Sequence, residues 1–388
     1  MRDTHQSPTE QPSGPPETSF PIGSRIIHVG PHKTGTTAVQ GALHAARERL
    51  AEHGVWLPSS ERNPVMAVRQ GSGTRSMEPN NSAWSELAAA FDETGERIGV
   101  LSSEFFADAD DTAARRVVAE LGGPSVRILI TLRPLAKIMP SQWQQHVQSG
   151  KSTPYEEWLT DLFDEHSGTK SAKSFWKRHR HDRFTERWAA AADPERVTVL
   201  VVDDSRPEQL LRDFETLLGL PEDTLRKKKN ATNRSLTSGE TEAVRLLAAE
   251  FERRGWSKQL FREYVRYGVV PRVKTARTPG PDEPKIATPS WALERAAEIG
   301  GEIAESIAAS GVRVVGDLDL LRGEDVKPAE PGRPLVDPEV AVQAVLGCMT
   351  VAMKEQGTQR PEADRSESLL SIVGQRTKNR LFGSRGRA

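Results

Sequence analysis

Lys33, Thr34, Gly35, Thr36 and Thr37 stand in an unbroken row, just behind the break Gly30-Pro31-His32. An ammonium, three hydroxyls and a flexible glycine in five residues have the composition of an anion cradle. The row follows the short apolar run Ile26-Ile27-His28-Val29 and leads into a stretch with helical spacing, so it reads as strand, tight loop and helix start. A helix N-terminus presents unpaired N–H groups and the positive end of the dipole to an anion. Gly35 lets the backbone come close to that anion. Lys33 supplies charge, and Thr34, Thr36 and Thr37 supply further donors. A nucleotide loop of the Walker type needs Gly-Lys followed by Ser or Thr. Here the lysine precedes the glycine, so no magnesium arrangement is expected. Capping alone would ask for a threonine, not for Lys33 and Gly35 beside three of them.

Other chemistry-bearing residues fall at the ends of apolar runs. Ile98-Gly99-Val100-Leu101-Ser102-Ser103 ends at Glu104, and Val126–Leu132 ends at Arg133-Pro134, with Ser141 eight residues further. A guanidinium donates two parallel hydrogen bonds to a phosphate, and a serine adds a neutral donor. Transfer to a hydroxyl or an amine needs a general base. Glu104 is the first candidate, His146 the second and His32 the third. His28 is expected inside the strand.

His28-Val29-Gly30-Pro31-His32-Lys33-Thr34-Gly35-Thr36-Thr37 resembles the phosphosulfate-binding loop of sulfotransferases that use 3'-phosphoadenosine 5'-phosphosulfate (PAPS). That loop commonly reads Pro-Lys-Ser/Thr-Gly-Thr-Thr. His32 is inserted between the proline and the lysine, a variation expected in bacterial members. The resemblance implies that Pro31 to Thr37 hold the 5'-phosphate and that Lys33 contacts the bridging oxygen. It also implies that Arg133 and Ser141 bind the 3'-phosphate, and that no metal is required. It covers roughly the first 150 residues and is faint beyond them. The late Arg-Lys-Gly segment of the cytosolic animal branch is absent, and Ala38 stands where that branch often has tryptophan, so no residue is assigned to the adenine.

The elements that must position these groups alternate. Apolar runs at 25–29, 98–104, 126–132 and 197–202 are separated by helical patterns, which argues for a parallel sheet covered on both faces. Ligands of such sheets sit at the carboxyl ends of the strands, where Gly30–Gly35, Glu104 and Arg133 all lie. The fold expected is α/β, three-layered, of the P-loop sulfotransferase kind, with a helical C-terminal extension. Residues 1–22 are polar and proline-rich and are expected to be a disordered tail. The α/β domain is expected over 23–270, a linker and helical extension over 271–355, and a mostly disordered basic tail over 356–388. Residues 59–81 are expected to form a long loop and Lys170–Arg180 a basic, aromatic one.

Composition narrows the function classes. A formal net charge of −1 in 388 residues argues against a general nucleic-acid binder. The single Cys348 excludes an internal disulfide framework and a cysteine-rich metal site. No apolar run of spanning length and no signal-peptide core is present, so a cytoplasmic protein is expected. The sequence therefore points to sulfuryl transfer from PAPS to a hydroxyl, or an amine, of a carbohydrate, glycolipid or small natural product. Two rivals stand beside it: a nucleotide-dependent phosphotransferase, with Asp203 or Asp204 as magnesium carboxylate, and a catalytically silent nucleotide-binding protein of the same fold. Acceptor identity and oligomeric state are left open.

Overall fold

The computed structural model describes residues 18–76, 83–227, 234–329 and 334–355. Most of the expected N-terminal tail, the whole 356–388 segment and the lysine run at 228–229 lie outside the described residues. The chain folds into two compact units that do not follow chain order. One is drawn from Met1–Gln142, Tyr155–Ala231 and Thr288–Pro331, the other from Trp143–Pro154, Thr232–Ala287 and Gly332–Ala388.

The first unit is built on a six-stranded, wholly parallel sheet. Its strands are β1 (Arg25–His28), β2 (Val55–Trp56), β3 (Ile98–Ser102), β4 (Val126–Leu132), β5 (Val197–Val201) and β6 (Arg313–Val315), in the spatial order β2-β3-β1-β4-β5-β6. The α/β expectation holds. β3 and β5 are buried at every position and β4 at all but Arg127, which is why they read as continuous apolar runs. β2 and β6 are only two and three residues long and sit at the edges. The chain leaves β1 for one side of the sheet and returns to its other side at β4, so the β1/β4 boundary is the topological switch point. Register places His28 opposite Ser102 of β3 and Leu129 of β4. The carboxyl ends of β1, β3, β4 and β5 thus share one edge.

The helix after β1, Thr36–Ala45, buries Val39, Ala42 and Leu43 against a core that includes Ile26, Leu129, Leu200 and Phe214. It breaks at Ala46 and resumes as Arg47–Glu52. One expected loop is helical and the other contains a helix, its end at 77–81 lying outside the described residues. Lys170–His179 is a helix because Thr169 caps it at Ala172 N and Ala172, Phe175 and His179 bury at helical spacing. Lys177 and Arg178 complement its C-terminal dipole. Val65–Gly71 is a second short helix, anchored by buried Ala67 and Val68.

The second unit is helical. Ser238–Arg253 starts with a reciprocal capping box between Thr237 and Glu240. Phe261–Val269 is wound as a π-helix and runs directly into the helix Val270–Ala276. Pro338–Glu355 crosses the π-helix at a glycine pair. A Cβ on Gly347 would lie 2.8 Å from Val269 Cα, so only glycine permits the approach. Buried Arg277 is held by Glu240, Glu283 and Glu339, which together satisfy an otherwise costly charge. Among the described residues no helix is long and apolar enough to cross a membrane.

Candidate functional site

The loop between β1 and its helix is shaped by two residues of positive φ, Lys33 at 75° and Gly35 at 92°. Backbone of that curvature turns N–H groups toward a common centre, as anion-binding nests do. Gly35 is also the N-cap of Thr36–Ala45, and no side chain caps that helix start. Ala38 N donates to the Gly35 carbonyl at 2.9 Å, and among the described residues the Thr36 and Thr37 N–H groups have no acceptor and are left for an anion.

Beneath the loop runs a buried chain of side-chain hydrogen bonds. Thr34 Oγ1 donates to the Pro31 carbonyl at 2.7 Å and lies 3.0 Å from Thr131 Oγ1. His28 Nε2 is 3.1 Å from Thr131 Oγ1, and His28 Nδ1 is 2.7 Å from Ser102 Oγ. Proton counting assigns every role. Thr34 has given its proton to Pro31, so Thr131 donates to Thr34, His28 Nε2–H donates to Thr131, and Ser102 donates to His28 Nδ1. The imidazole is neutral, and complete burial pushes its pKa down to about 3. This chain ties β3, β1 and β4 to the floor of the loop. It also redirects Thr34, fully buried, from the anion to the core, while Thr36 Oγ1 points back at the Gly30 carbonyl at 3.4 Å. Thr37 alone of the three threonines is exposed. Gly30 has no room for a side chain, since a Cβ there would come within 2.2 Å of Thr36 Oγ1 and 2.8 Å of Thr131 Oγ1.

Arg133, just past β4, reaches the loop. Its Nη1 donates to the Lys33 carbonyl at 3.3 Å. Its Nε and Nη2 donate to the two carboxylate oxygens of Asp204 at 2.7 and 2.8 Å. A guanidinium has five N–H donors. These contacts occupy one on each nitrogen, leaving a donor on Nη1 and a donor on Nη2 for a ligand. Ser141 lies half-buried on the helix Leu135–Gln148.

Glu104 opens the 3-10 turn Glu104–Asp108, whose start is capped by Ser103. Its Oε2 accepts from Gln40 Nε2 at 3.0 Å and from Asn63 Nδ2 at 2.9 Å. Asn63 Oδ1 in turn accepts from Ser103 Oγ at 2.9 Å, which fixes which end of the amide faces Glu104. The two donors fix the carboxylate in one orientation. Among the described residues Oε1 accepts no hydrogen bond and is left for a proton.

His32 packs edge-on against Phe105 at 5.8 Å between ring centres, and the Arg69 guanidinium lies over the same phenyl ring at 4.4 Å. Burial first, then the charge of Arg178, holds the His32 imidazole at a pKa of about 4 against the opposing pull of Asp108 and Glu104. Arg178 donates to Asp108 at 2.7 Å, so the helix Lys170–His179 brings a cation beside the 3-10 turn. His146 belongs to the second unit and carries its backbone carbonyl bond from Ser149 Oγ. Among the described residues no group of three or more His, Cys, Asp or Glu side chains is arranged to hold a metal ion.

Sequence reasoning placed the loop, Glu104 and Arg133 at strand ends. It missed Gln40, Asn63, Asp108 and Arg178, and it read Asp204 only as a possible metal carboxylate. Asn63 carried one signal: it lies in the polar stretch 59–81, whose length alone suggested function.

No family model matches the chain, and no curated protein matches it. Among solved structures the chain is similar to a sulfotransferase from Alicyclobacillus acidocaldarius, with 16% identity, 63% of this chain and 99% of that one covered, and a TM-score of 0.37.

Proposed function

We propose that the chain transfers the sulfuryl group of PAPS to a hydroxyl, or an amine, of a carbohydrate, glycolipid or small natural product. The observation that carries the reading is the hydrogen bond from Arg133 Nη1 to the Lys33 carbonyl. The two motifs that resemble phosphate-binding elements lie 100 residues apart in sequence and meet at the β1/β4 switch point. One contact therefore links a loop suited to the 5'-phosphosulfate with a guanidinium suited to the 3'-phosphate.

Roles follow from the chemistry. PAPS supplies the sulfuryl group and a phosphate leaving group. The acceptor oxygen forms a bond to sulfur as the bond between sulfur and the 5'-phosphate oxygen breaks. Glu104 takes the acceptor's proton on Oε1, while Gln40 and Asn63 hold Oε2. Lys33 and the uncapped N–H groups of the helix start meet the charge that grows on the leaving phosphate. His32, neutral at pH 7, lines the loop without adding charge. Arg133 and Ser141 grip the 3'-phosphate, and Asp204 orients Arg133.

The test is Lys33→Ala, assayed for sulfuryl transfer from labelled PAPS to a panel of hydroxyl and amine acceptors. Loss of turnover by about a hundredfold or more, with unfolding unchanged, is expected for removal of a charge that meets the transition state. Full activity in the folded variant would end the assignment.

A further inference from the structure

The second unit holds a cleft of about 380 Å³ whose ionisable lining is entirely cationic. Lys258, Arg262 and Arg266 recur every four residues, from the short turn Lys258–Leu260 into the π-helix Phe261–Val269. Gln148 and Gln259 add neutral amides, Ser149 adds a hydroxyl, and buried Phe261 completes the lining. No carboxylate lines it.

The contrast with the rest of the unit is informative. Arg234, Arg245, Arg253, Arg254 and Arg277 each pair with a glutamate. Among the described residues Lys258 and Arg262 have no ion-pair partner, and Arg266 has only the face of Tyr267, at 5.9 Å. Like charges gathered around one concavity repel unless an anion joins them. The wide π turn carries Arg262 and Arg266, and π turns are frequent at functional sites.

We infer that this cleft binds a tetrahedral oxyanion, a sulfate or phosphate group, free or carried as a monoester on a small polar molecule. Guanidinium groups match the oxygens of such a group with parallel hydrogen bonds, and the amides can serve its remaining oxygens. The volume lies in the range of small-molecule sites and exceeds what a bare ion fills, which favours the ester. The inference stands apart from the proposed sulfuryl transfer, because it uses no residue of the first unit.

The experiment is calorimetric titration of the full chain with inorganic sulfate, inorganic phosphate and glucose 6-sulfate, at ionic strength matched with sodium chloride. Wild type and Arg133→Ala are compared with Arg262→Gln/Arg266→Gln and Arg262→Glu/Arg266→Glu. Saturable binding in wild type and in Arg133→Ala, weakened about tenfold or more in both double variants, is the expected result. Tighter binding of glucose 6-sulfate than of inorganic sulfate identifies an ester site, and equal binding identifies a free-anion site. Three results would overturn the inference: no binding to wild type, equal binding to the double variants, or loss in Arg133→Ala with retention in the double variants. Arg262 is exposed and Arg266 half-buried, and far-UV circular dichroism checks that both double variants fold.

Discussion

Acid should unfold the α/β unit at a pH where its carboxylates are still ionised. His28, His179 and His181 are all fully buried there, and burial lowers all three imidazoles: His28 to about 3, His181 to about 4, and His179 well below its usual range. An unfolded histidine titrates near 6.5. A group whose folded pKa lies below its unfolded value contributes stability that is complete above the unfolded pKa. That stability is lost as pH falls toward the folded pKa. Between pH 7.5 and 5 His28 and His181 each forfeit about 2 kcal/mol, so the two together forfeit roughly 4 kcal/mol, and His179 adds to the loss. That is a large fraction of the whole stability of a typical domain, about 5–15 kcal/mol. His32, partly exposed, acts in the same direction. The assay is urea unfolding followed by far-UV circular dichroism at half-unit pH steps. Near pH 5 His28 and His181 alone should give a slope of about 2.5 kcal/mol per pH unit, which His179 steepens. His28→Gln retains a donor and an acceptor for Thr131 and Ser102 but cannot titrate, so it should reduce that slope by about 1.3 kcal/mol per pH unit. A total loss below about 2 kcal/mol, or an unchanged slope in His28→Gln, would refute the burial argument.

Two further outcomes concern the site. Gly30→Ala should destabilise the unit by about 1–3 kcal/mol and weaken nucleotide binding, because its Cβ would displace Thr36 and Thr131; thermal unfolding and nucleotide titration check both. Asn63→Ala removes one of the two donors that orient Glu104 and should lower turnover about tenfold, whereas Glu104→Gln should remove it; full turnover in Glu104→Gln would show that Glu104 is not the base.

Much of this architecture was legible because parallel strands buried on both faces leave unmistakable apolar runs, as at Val126–Leu132 and Val197–Val201. β2 and β6 left only short apolar pieces, Val55–Leu57 and Val312–Val315, being short and at the edges. The helix Lys170–His179 was hidden by its charges, since only Ala172, Phe175 and His179 turn inward. Within the site, residue type and strand-end position pointed to Lys33, Glu104 and Arg133. Their partners were not readable in the same way. Asn63 meets Glu104 across 41 residues and Asp204 meets Arg133 across 71, and no local periodicity reports such pairings. Thr34 shows the opposite error. A hydroxyl in an anion loop looks like a ligand donor, yet its neighbours Pro31 and Thr131 claim it for the floor.

The central claim is a two-phosphate site joined by Arg133. Its most direct test is calorimetric binding of 3'-phosphoadenosine 5'-phosphate against ATP, to wild type, Arg133→Ala and Asp204→Asn. Clear preference for the 3',5'-bisphosphate is predicted. Arg133→Ala should weaken that ligand by about a hundredfold, and Asp204→Asn should weaken it less, because the guanidinium keeps its charge and loses only its orienting partner. Equal affinity for the two nucleotides, or a preference that survives Arg133→Ala, would contradict the account.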